Sequence, residues 1–179
     1  MTENTATRPA IRTARLTLRP PGPADAPRLA ELANDFDVVR MTGSMPYPFT
    51  LENAQAFVRR ARAVDPEREA IFALELPGEG PIGVLGFHPK EGEAAPEVGY
   101  WLGRPYWGEG LATEALVAAM DWAGRDWGRR WVRASHFADN PASGAVLVKA
   151  GFLYTGEVAV RPCAARGEPT PARWMVWLA

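Results

Sequence analysis

Three things are scarce in this sequence: cysteine, histidine and net charge. The one cysteine, Cys163, has no partner for a disulfide within the chain, and with two histidines it is too little and too scattered for a metal site. Twenty lysines and arginines against 21 aspartates and glutamates give a net charge of -1, whereas general nucleic-acid binders carry a basic excess. We therefore expect no metal and no nucleic-acid partner.

Long apolar runs are missing as well. No stretch approaches the roughly 18 residues of a membrane span, and the first residues hold no hydrophobic signal core. We therefore expect no membrane partner and a cytoplasmic location. The chain does have enough apolar material for a full core, since 47% of its 179 residues are hydrophobic. Polar residues 1–12 are predicted to be a flexible segment, and residues 13–179, without a linker or a repeat, a single domain.

The amino-terminal half of that domain predicts strands and two helices. Residues 15–20 alternate leucine with polar residues, which is the period of a half-buried strand. Helical patterns follow from Asp25 and from Thr50, and Thr50 is placed to cap the second helix. Three apolar segments with short loops between them then predict an antiparallel meander, at residues 71–76, 82–87 and 97–102.

The carboxy-terminal half predicts a crossover. Apolar residues recur every three or four positions over residues 111–127, which indicates a long amphipathic helix. The apolar segment at residues 131–137 predicts the next strand. The strands on either side of such a helix are parallel. A short helix over 141–150 follows, capped by Asn140, and two strands close the sheet, at 152–158 and 172–178. We thus expect an α+β fold (mixed α/β): a mostly antiparallel sheet of six to seven strands with one parallel βαβ crossover and helices on both faces.

A glycine-rich stretch, GRPYWGEGLATEAL at residues 103–116, joins the third meander strand to the long helix. The first amides of a helix carry the positive end of its dipole, and glycine lets a ligand approach the backbone closely. The stretch therefore suits a phosphate or pyrophosphate, although a tight strand-to-helix turn without a ligand has the same pattern. It is not a P-loop, since no lysine follows, nor a dinucleotide fingerprint, since the helix follows an antiparallel meander.

Three segments resemble one family. Residues 107–112, WGEGLA, are similar to the pyrophosphate signature Gln/Arg-x-x-Gly-x-Gly/Ala of the GNAT superfamily of acyl-CoA-dependent N-acetyltransferases. Residues 139–152, DNPASGAVLVKAGF, resemble the Asn-x-x-Ser...Leu-x-Lys-x-Gly-Phe segment of the Rim branch, named for ribosomal-protein N-terminal acetylation. Residues 13–29 resemble the opening of the same branch. The order of the predicted elements is that of the GNAT fold.

The resemblance implies acetyl-CoA as co-substrate and a set of residues that bind it. The strand before the glycine turn would splay from its parallel neighbour, and the pantetheine arm would insert there and pair with the backbone. Backbone amides of the turn would bind the pyrophosphate, and an asparagine would reach the CoA arm. Trp107 replaces the glutamine or arginine of the signature, which leaves the amides as the expected contacts. The implied cofactor-binding residues are Trp101, Leu102, Trp107, Gly108, Glu109, Gly110, Leu111, Ala112, Thr113 and Asn140.

The resemblance also implies catalytic residues. Many family members protonate the departing thiolate with a tyrosine at a position that is Leu147 here, so Ser143, which fits the serine of the Rim branch, is the candidate acid. Glu97 lies near where relatives carry a glutamate base. The alternatives are an ordinary first-turn serine and a solvated carboxylate at a strand end. His88 and His136 are expected to be structural or exposed.

The resemblance implies that the acceptor is a primary amine, either a peptide N-terminus or a small molecule. A homodimer is a possible assembly for a protein of this family. Segment 161–167 is a candidate border of the acceptor pocket. The alternative function is a non-catalytic acyl-CoA-binding or sensing protein of the same fold, which the missing tyrosine leaves open. A third hypothesis, an unrelated α/β binding domain, requires that the chain has no affinity for CoA.

Overall fold

The structure is a computed structural model that describes residues 10–179. Within that range one sheet contains eight strands, which are β1 (Ile11–Arg12), β2 (Thr17–Arg19), β3 (Ala70–Leu76), β4 (Gly80–His88), β5 (Glu97–Leu102), β6 (Trp131–Phe137), β7 (Leu153–Arg161) and β8 (Thr170–Leu178). The helices are α1 (Ala26–Ala33), α2 (Phe36–Val39), α3 (Leu51–Arg62), α4 (Leu111–Arg125) and α5 (Pro141–Lys149).

The strand order is β1-β2-β3-β4-β5-β6-β8-β7, and every neighbouring pair is antiparallel except β5 and β6. This confirms the predicted mostly antiparallel sheet and its single parallel crossover through α4. β8, the last strand in the chain, lies between β6 and β7, so β7 is an edge strand of the described sheet.

The structure corrects the predicted strand count and the predicted flexible segment. The prediction of six to seven strands omits β1, in which Ile11 pairs with Leu18 and Arg12 with Thr17. Residues 1–9 of the segment predicted to be flexible lie outside the described residues, but Ile11 and Arg12 belong to the sheet. Two residues are too few to show an alternating pattern, and pairing with β2 together with packing of Ile11 on the core orders them.

Helices cover both faces of the sheet, as predicted. On one face, which we call the α4/α5 face, Phe72 and Leu74 of β3 join Leu116 and Met120 of α4 in the larger core cluster. On the other, the α1/α3 face, Ile71 of β3 packs with side chains of α1 and α3. Side chains alternate along a strand, so β3 contributes to both cores. Each large apolar side chain buried in this way stabilises the fold by about 1.5–3 kcal/mol.

Two local features decide where helices begin. Thr50 accepts a hydrogen bond from the Asn53 amide at 3.2 Å, and the Asn53 side chain accepts one from the Thr50 amide at 2.9 Å, which confirms the predicted cap of α3. The four-residue helix α2 was not predicted, because one turn is too short to show a period. It begins where the Asp35 carboxylate accepts a hydrogen bond from the Asp37 amide at 2.9 Å.

Candidate active site

The parallel ladder between β5 and β6 stops after two residue pairs. Glu97 pairs with Arg133 and Val98 with Ala134, and beyond these pairs the two strands separate. β5 continues along β4, while β6 continues along β8, so each strand keeps one neighbour. A row of backbone N–H and C=O groups on alternate residues, Tyr100 and Leu102, therefore faces a gap instead of a strand, while the amide of the next residue, Gly103, donates to Ile82 of β4. An extended ligand that carries amide groups could pair with that row.

The glycine stretch forms a sharp turn from β5 into α4. Gly108 has φ 79° and Gly110, the N-cap of α4, has φ 75°. Both values lie in the left-handed region that costs non-glycine residues about 1–2 kcal/mol. A Cβ on Gly108 would meet nothing within 4 Å, and one on Gly110 would meet only the Arg15 guanidinium, at 3.7 Å. Backbone conformation, not crowding, thus requires glycine here, and space is open where side chains at these two positions would lie.

Two side chains fasten this turn. The Trp107 indole donates to the carbonyl of Leu102 at 2.9 Å, so the residue that replaces the family's glutamine or arginine ties the turn to the end of β5. The Arg15 guanidinium donates to the carbonyl of Glu109 at 2.9 Å and to the carboxylate of Glu114 at 2.7 Å. The sequence analysis did not identify Arg15, which places a positive charge beside the turn.

The start of α5 lies against β5 at the same gap. The Asn140 side chain accepts a hydrogen bond from the Ser143 amide at 3.2 Å, so Asn140 caps α5 as predicted. The hydroxyls of Ser143 and Tyr100 are 2.9 Å apart, and the Tyr100 hydroxyl also lies 3.1 Å from the Ser143 carbonyl, to which it can donate. Burial raises the pKa of Tyr100 to about 12. Leu147, one turn further along α5, is buried in the core.

Glu97, the candidate base, is not a solvated strand-end carboxylate. Its side chain is only 12% exposed, and it forms ion pairs with Arg161 and with Lys90, the latter at 3.1 Å. The Ser135 hydroxyl donates to it at 3.4 Å. Burial pushes the pKa of Glu97 up, but the hydrogen bond and charge of Arg161, with a smaller contribution from Lys90, outweigh burial and lower it. The carboxylate is therefore ionised at neutral pH, and it is a weak base.

The structure places Glu97 and Ser143 on different sides of the sheet. Glu97 and Tyr100 are three positions apart on β5, so their side chains point to opposite faces. Because Ser143 contacts Tyr100, it lies on the α4/α5 face, whereas Glu97 lies on the α1/α3 face. The two candidate catalytic residues thus flank the point where β5 and β6 separate, and an acceptor and a co-substrate could meet between them.

Around Glu97 a group of charged side chains comes from several strands. Arg161 of β7 binds both Glu97 and the Ser135 hydroxyl, and the sequence analysis assigned it no role beyond its place in segment 161–167. Its guanidinium carbon lies 4.9 Å from the ring centre of Trp174, and that of Arg133 lies 4.1 Å from the same ring. Trp174 therefore separates two cations that both point toward this face.

The rest of segment 161–167 packs against the loop that follows α2. The Cys163 thiol donates to the carbonyl of Thr42 at 3.2 Å, and the amide of Ala164 donates to the carbonyl of Gly43 at 3.0 Å. Arg166 pairs with Asp139 at 2.8 Å. These contacts join segment 161–167 to the loop after α2 and to Asp139, which follows β6. That the segment borders an acceptor pocket stays a prediction.

The two histidines have structural contacts. His88 lies 2.7 Å from the Glu69 carboxylate. His136 is buried, with Nδ1 2.9 Å from the carbonyl of Phe137 and Nε2 3.0 Å from the Tyr154 hydroxyl. The carbonyl can only accept, so Nδ1 carries the proton and Nε2 accepts from the tyrosine. These contacts agree with the structural role expected for both residues.

Neither a metal cluster nor a membrane-spanning helix is found within residues 10–179. In that range no group of three or more histidine, cysteine, aspartate or glutamate side chains is placed to hold a metal ion. None of the helices described there combines the length and the hydropathy needed to cross a bilayer.

Comparisons with known proteins agree with this geometry. The family model described as an acetyltransferase (GNAT) domain matches residues 15–153. The uncharacterised N-acetyltransferase YoaA of Bacillus subtilis (strain 168) is 27% identical over 151 residues, which cover 83% of this chain and 85% of YoaA.

Solved structures share the fold, and two of them serve as examples. RimL, the ribosomal L7/L12 α-N-protein acetyltransferase in complex with coenzyme A, has a TM-score of 0.81 at 22% identity, with 95% of this chain and 98% of RimL covered. The microcin C7 self-immunity acetyltransferase MccE, in complex with acetyl-CoA and AMP, has a TM-score of 0.80 at 19% identity, with 93% of each chain covered.

Proposed function

The chain belongs to the GNAT family of N-acetyltransferases, and from this premise we propose that it transfers the acetyl group of acetyl-CoA to a primary amine by direct attack on the thioester. The observation that carries the proposal is the meeting of three features at one point of the sheet. The gap after Val98, the glycine turn into α4 and the capped start of α5 lie around the same unpaired stretch of β5.

The co-substrate side of the site is made of backbone. We propose that the pantetheine arm pairs with the backbone of β5 near Trp101 and Leu102, where the Leu102 carbonyl already accepts a hydrogen bond from the Trp107 indole. The pyrophosphate would bind the amides from Gly108 to Thr113, where the helix dipole and the unpaired N–H groups of α4 favour an anion. Arg15 lies beside the turn, where its guanidinium is paired with Glu114 and donates to the Glu109 carbonyl. The Asn140 side chain would serve both as cap of α5 and as a contact of the CoA arm.

On the α1/α3 face, where we expect the acceptor amine, the site is made of Glu97 and the charged side chains around it. The basicity of Glu97 decides which amines can react. We propose Glu97 as the base that takes the proton of the attacking amine. Its lowered pKa makes it too weak to deprotonate a strongly basic amine efficiently. At neutral pH roughly a tenth of α-amines are neutral, against under about one in a thousand lysine side chains. The proposal therefore favours an amine of low pKa, such as a peptide N-terminus, over a lysine side chain.

Calorimetry and mass spectrometry test the function in two steps. Acetyl-CoA is expected to bind with one equivalent per chain and to raise the melting temperature by mass action. A panel of peptides with free N-termini, small amines and lysine-containing peptides with blocked N-termini is then incubated with acetyl-CoA. The mass of the products identifies the acceptor. No heat and no thermal shift at millimolar acetyl-CoA would overturn the proposal.

One observation favours a second candidate, an acyl-CoA sensor that does not turn its ligand over. Leu147 occupies the position of the family's tyrosine acid and is buried in the core, so that acid is missing. The same panel separates the two. Tight binding of acetyl-CoA without release of CoA for any amine supports the sensor, and release that depends on the amine supports the enzyme.

A further inference from the structure

Tyr100 is a partly buried titratable residue at the gap between β5 and β6, and the proposed function gives it no role. It lies two positions beyond Val98, the last residue of β5 in the parallel ladder. Its side chain points to the α4/α5 face and ends at the first turn of α5. There its hydroxyl is 2.9 Å from the Ser143 hydroxyl and 3.1 Å from the Ser143 carbonyl. The ring packs against the larger core cluster and the hydroxyl contacts Ser143, so the position of the side chain is fixed by packing and by hydrogen bonding.

The position is informative because of what α5 lacks. Leu147 fills the place from which relatives present a tyrosine, and it is buried with an exposure of 1%. A tyrosine hydroxyl nevertheless reaches α5, one turn earlier and from the strand. We propose that Tyr100 and Ser143 act as a pair on the departing CoA thiolate, in which Ser143 gives its hydroxyl proton to sulfur and Tyr100 replaces that proton. This inference rests on the proposed acetyl transfer.

The atoms balance as follows in such a step. The amine nitrogen forms a bond to the thioester carbon, the carbon–sulfur bond breaks, and its electron pair stays on sulfur. Sulfur takes the Ser143 proton while the Ser143 oxygen takes the phenolic proton of Tyr100. The phenolate then recovers a proton from solvent, and Glu97 passes the proton that it took from the amine to solvent. In sum, one proton leaves nitrogen and one arrives at sulfur.

The pair explains how a serine can serve as an acid. An aliphatic hydroxyl alone would be left as an alkoxide, which is far more basic than a thiolate. With Tyr100 behind it, the negative charge ends on a phenol instead. The phenol is protonated at neutral pH, and burial raises its pKa to about 12, which makes it a weaker acid than an exposed tyrosine but still a far stronger one than an aliphatic hydroxyl. Low polarity around the hydroxyls also strengthens the hydrogen bond between them.

Burial raises the pKa of Tyr100, and its hydrogen bond with Ser143 lowers it. A second titratable pair, His136 and Tyr154, faces the neighbouring residue Gly144, where an added Cβ would lie 2.6 Å from the Tyr154 hydroxyl. Tyr154 is thus a matched control: a tyrosine whose hydroxyl reaches the same turn of α5 but bonds to His136 and not to Ser143.

Binding of free CoA tests the pair without any acceptor. The probe is the affinity of CoA relative to acetyl-CoA, measured by calorimetry from pH 7 to pH 10. A free thiol ionises near pH 8.5, and acetyl-CoA has no thiol. Donors that stabilise the thiolate lower the pKa of the bound thiol, so CoA should gain affinity as the pH rises through that range. We expect a gain of about tenfold, the size of one hydrogen bond to a charged group.

The variants decide between the possible outcomes. Tyr100→Phe and Ser143→Ala should each lose most of the gain, the double variant should lose no more than the single ones, and Tyr154→Phe should keep it. Circular dichroism on the same samples checks the fold. An undiminished gain in Tyr100→Phe overturns the pair while acetyl-CoA binding and the proposed function stand. Failure of both CoA and acetyl-CoA to bind the parent protein overturns the proposed function and the pair together.

Discussion

The two ends of β5 are built in different ways. At its carboxyl end the chain turns through Gly108 and Gly110 into α4, and the turn depends on backbone conformation and helix amides within a dozen residues. At its amino end Glu97 is surrounded by side chains from the preceding loop, β6 and β7. One end is therefore a local structure and the other an assembly of distant parts. The difference predicts that changes at the amino end affect stability first, while changes at the carboxyl end affect ligand binding first.

The largest expected effect is at the amino end. Arg161→Ala removes the main counter-charge of Glu97 and leaves a mostly buried carboxylate whose remaining ion-pair partner within residues 10–179 is Lys90. Breaking a buried ion pair from one side is costly, and because some solvent reaches this pair we expect a loss of about 2–3 kcal/mol in the free energy of unfolding. Urea denaturation measures it.

The control for that variant is an exposed arginine. Arg125 pairs with Asp121 one turn earlier on α4, and both side chains are largely exposed. Arg125→Ala should change the free energy of unfolding by no more than about 0.5 kcal/mol. Equal losses in the two variants would show that the surroundings of Glu97 are as solvated as the surface of α4, and the contrast between the two ends of β5 would fail.

At the carboxyl end, Gly110→Asp should affect binding more than folding. The new residue must adopt a positive φ, which costs about 1 kcal/mol, and its carboxylate lies where the helix dipole favours an anionic ligand. We expect acetyl-CoA affinity to fall ten- to a hundredfold, about 1.4–2.8 kcal/mol. Calorimetry and denaturation on the same sample separate binding from stability.

Gly128→Asp is the matched control for Gly110→Asp. Gly128 also has a positive φ, at 68°, and has open space around its Cβ position, but it lies beyond the other end of α4. It should cost somewhat more stability, because its carboxylate lies near the negative end of the α4 dipole, and leave acetyl-CoA affinity unchanged. If both variants bind acetyl-CoA as well as the parent, the turn at Gly110 serves the backbone and not a ligand.

A smaller effect is expected at Asn140, where one residue has a structural and a binding role. Asn140→Ala removes the cap of α5 and should cost about 1 kcal/mol of stability along with affinity for acetyl-CoA. Asn140→Ser keeps a capping oxygen but shortens the side chain. It should retain most of the stability and still lose affinity. If the serine variant binds acetyl-CoA normally, Asn140 is a cap alone.

The ionisation of Glu97 predicts how stability depends on pH. Its folded pKa lies below the ordinary value of 4.5, so its ion pairs stabilise the fold fully above that pH and the contribution is lost as the pH falls through the folded pKa. In Glu97→Gln the free energy of unfolding should therefore fall less steeply below about pH 5 than in the parent, as measured by denaturation at several pH values.

The turnover of Glu97→Gln should be most depressed at low pH and should recover partly as the neutral fraction of the amine grows. Turnover that matches the parent at every pH would return Glu97 to a structural role.

Much of the fold could be predicted from local patterns. The long helix α4, the capped helices α3 and α5, and the parallel relation of β5 and β6 all follow from periodicity, capping residues and the crossover rule. Patterns shorter than one period could not be recognised, which is why β1 and α2 were missed. Nothing local indicated that β8 inserts between β6 and β7, because strand order depends on which faces pack together.

The site divides in the same way. The glycine turn and the Asn140 cap could be identified because the glycines and the capping asparagine lie close in sequence to the helices that they begin, although Arg15, which also fastens the turn, is distant. Tyr100 and Ser143 are 43 positions apart, Glu97 and Arg161 are 64 apart, and Arg15 and Glu114 are 99 apart. Hydrogen bonds and ion pairs form only between atoms in contact, and only the folded sheet brings these atoms together. The sequence by itself determined the glycine turn, where an anion is proposed to bind, and the helices around it. Only the tertiary structure decided that the Tyr100 hydroxyl bonds to Ser143, and that Arg161 and Lys90 lower the pKa of Glu97 and make it a weak base.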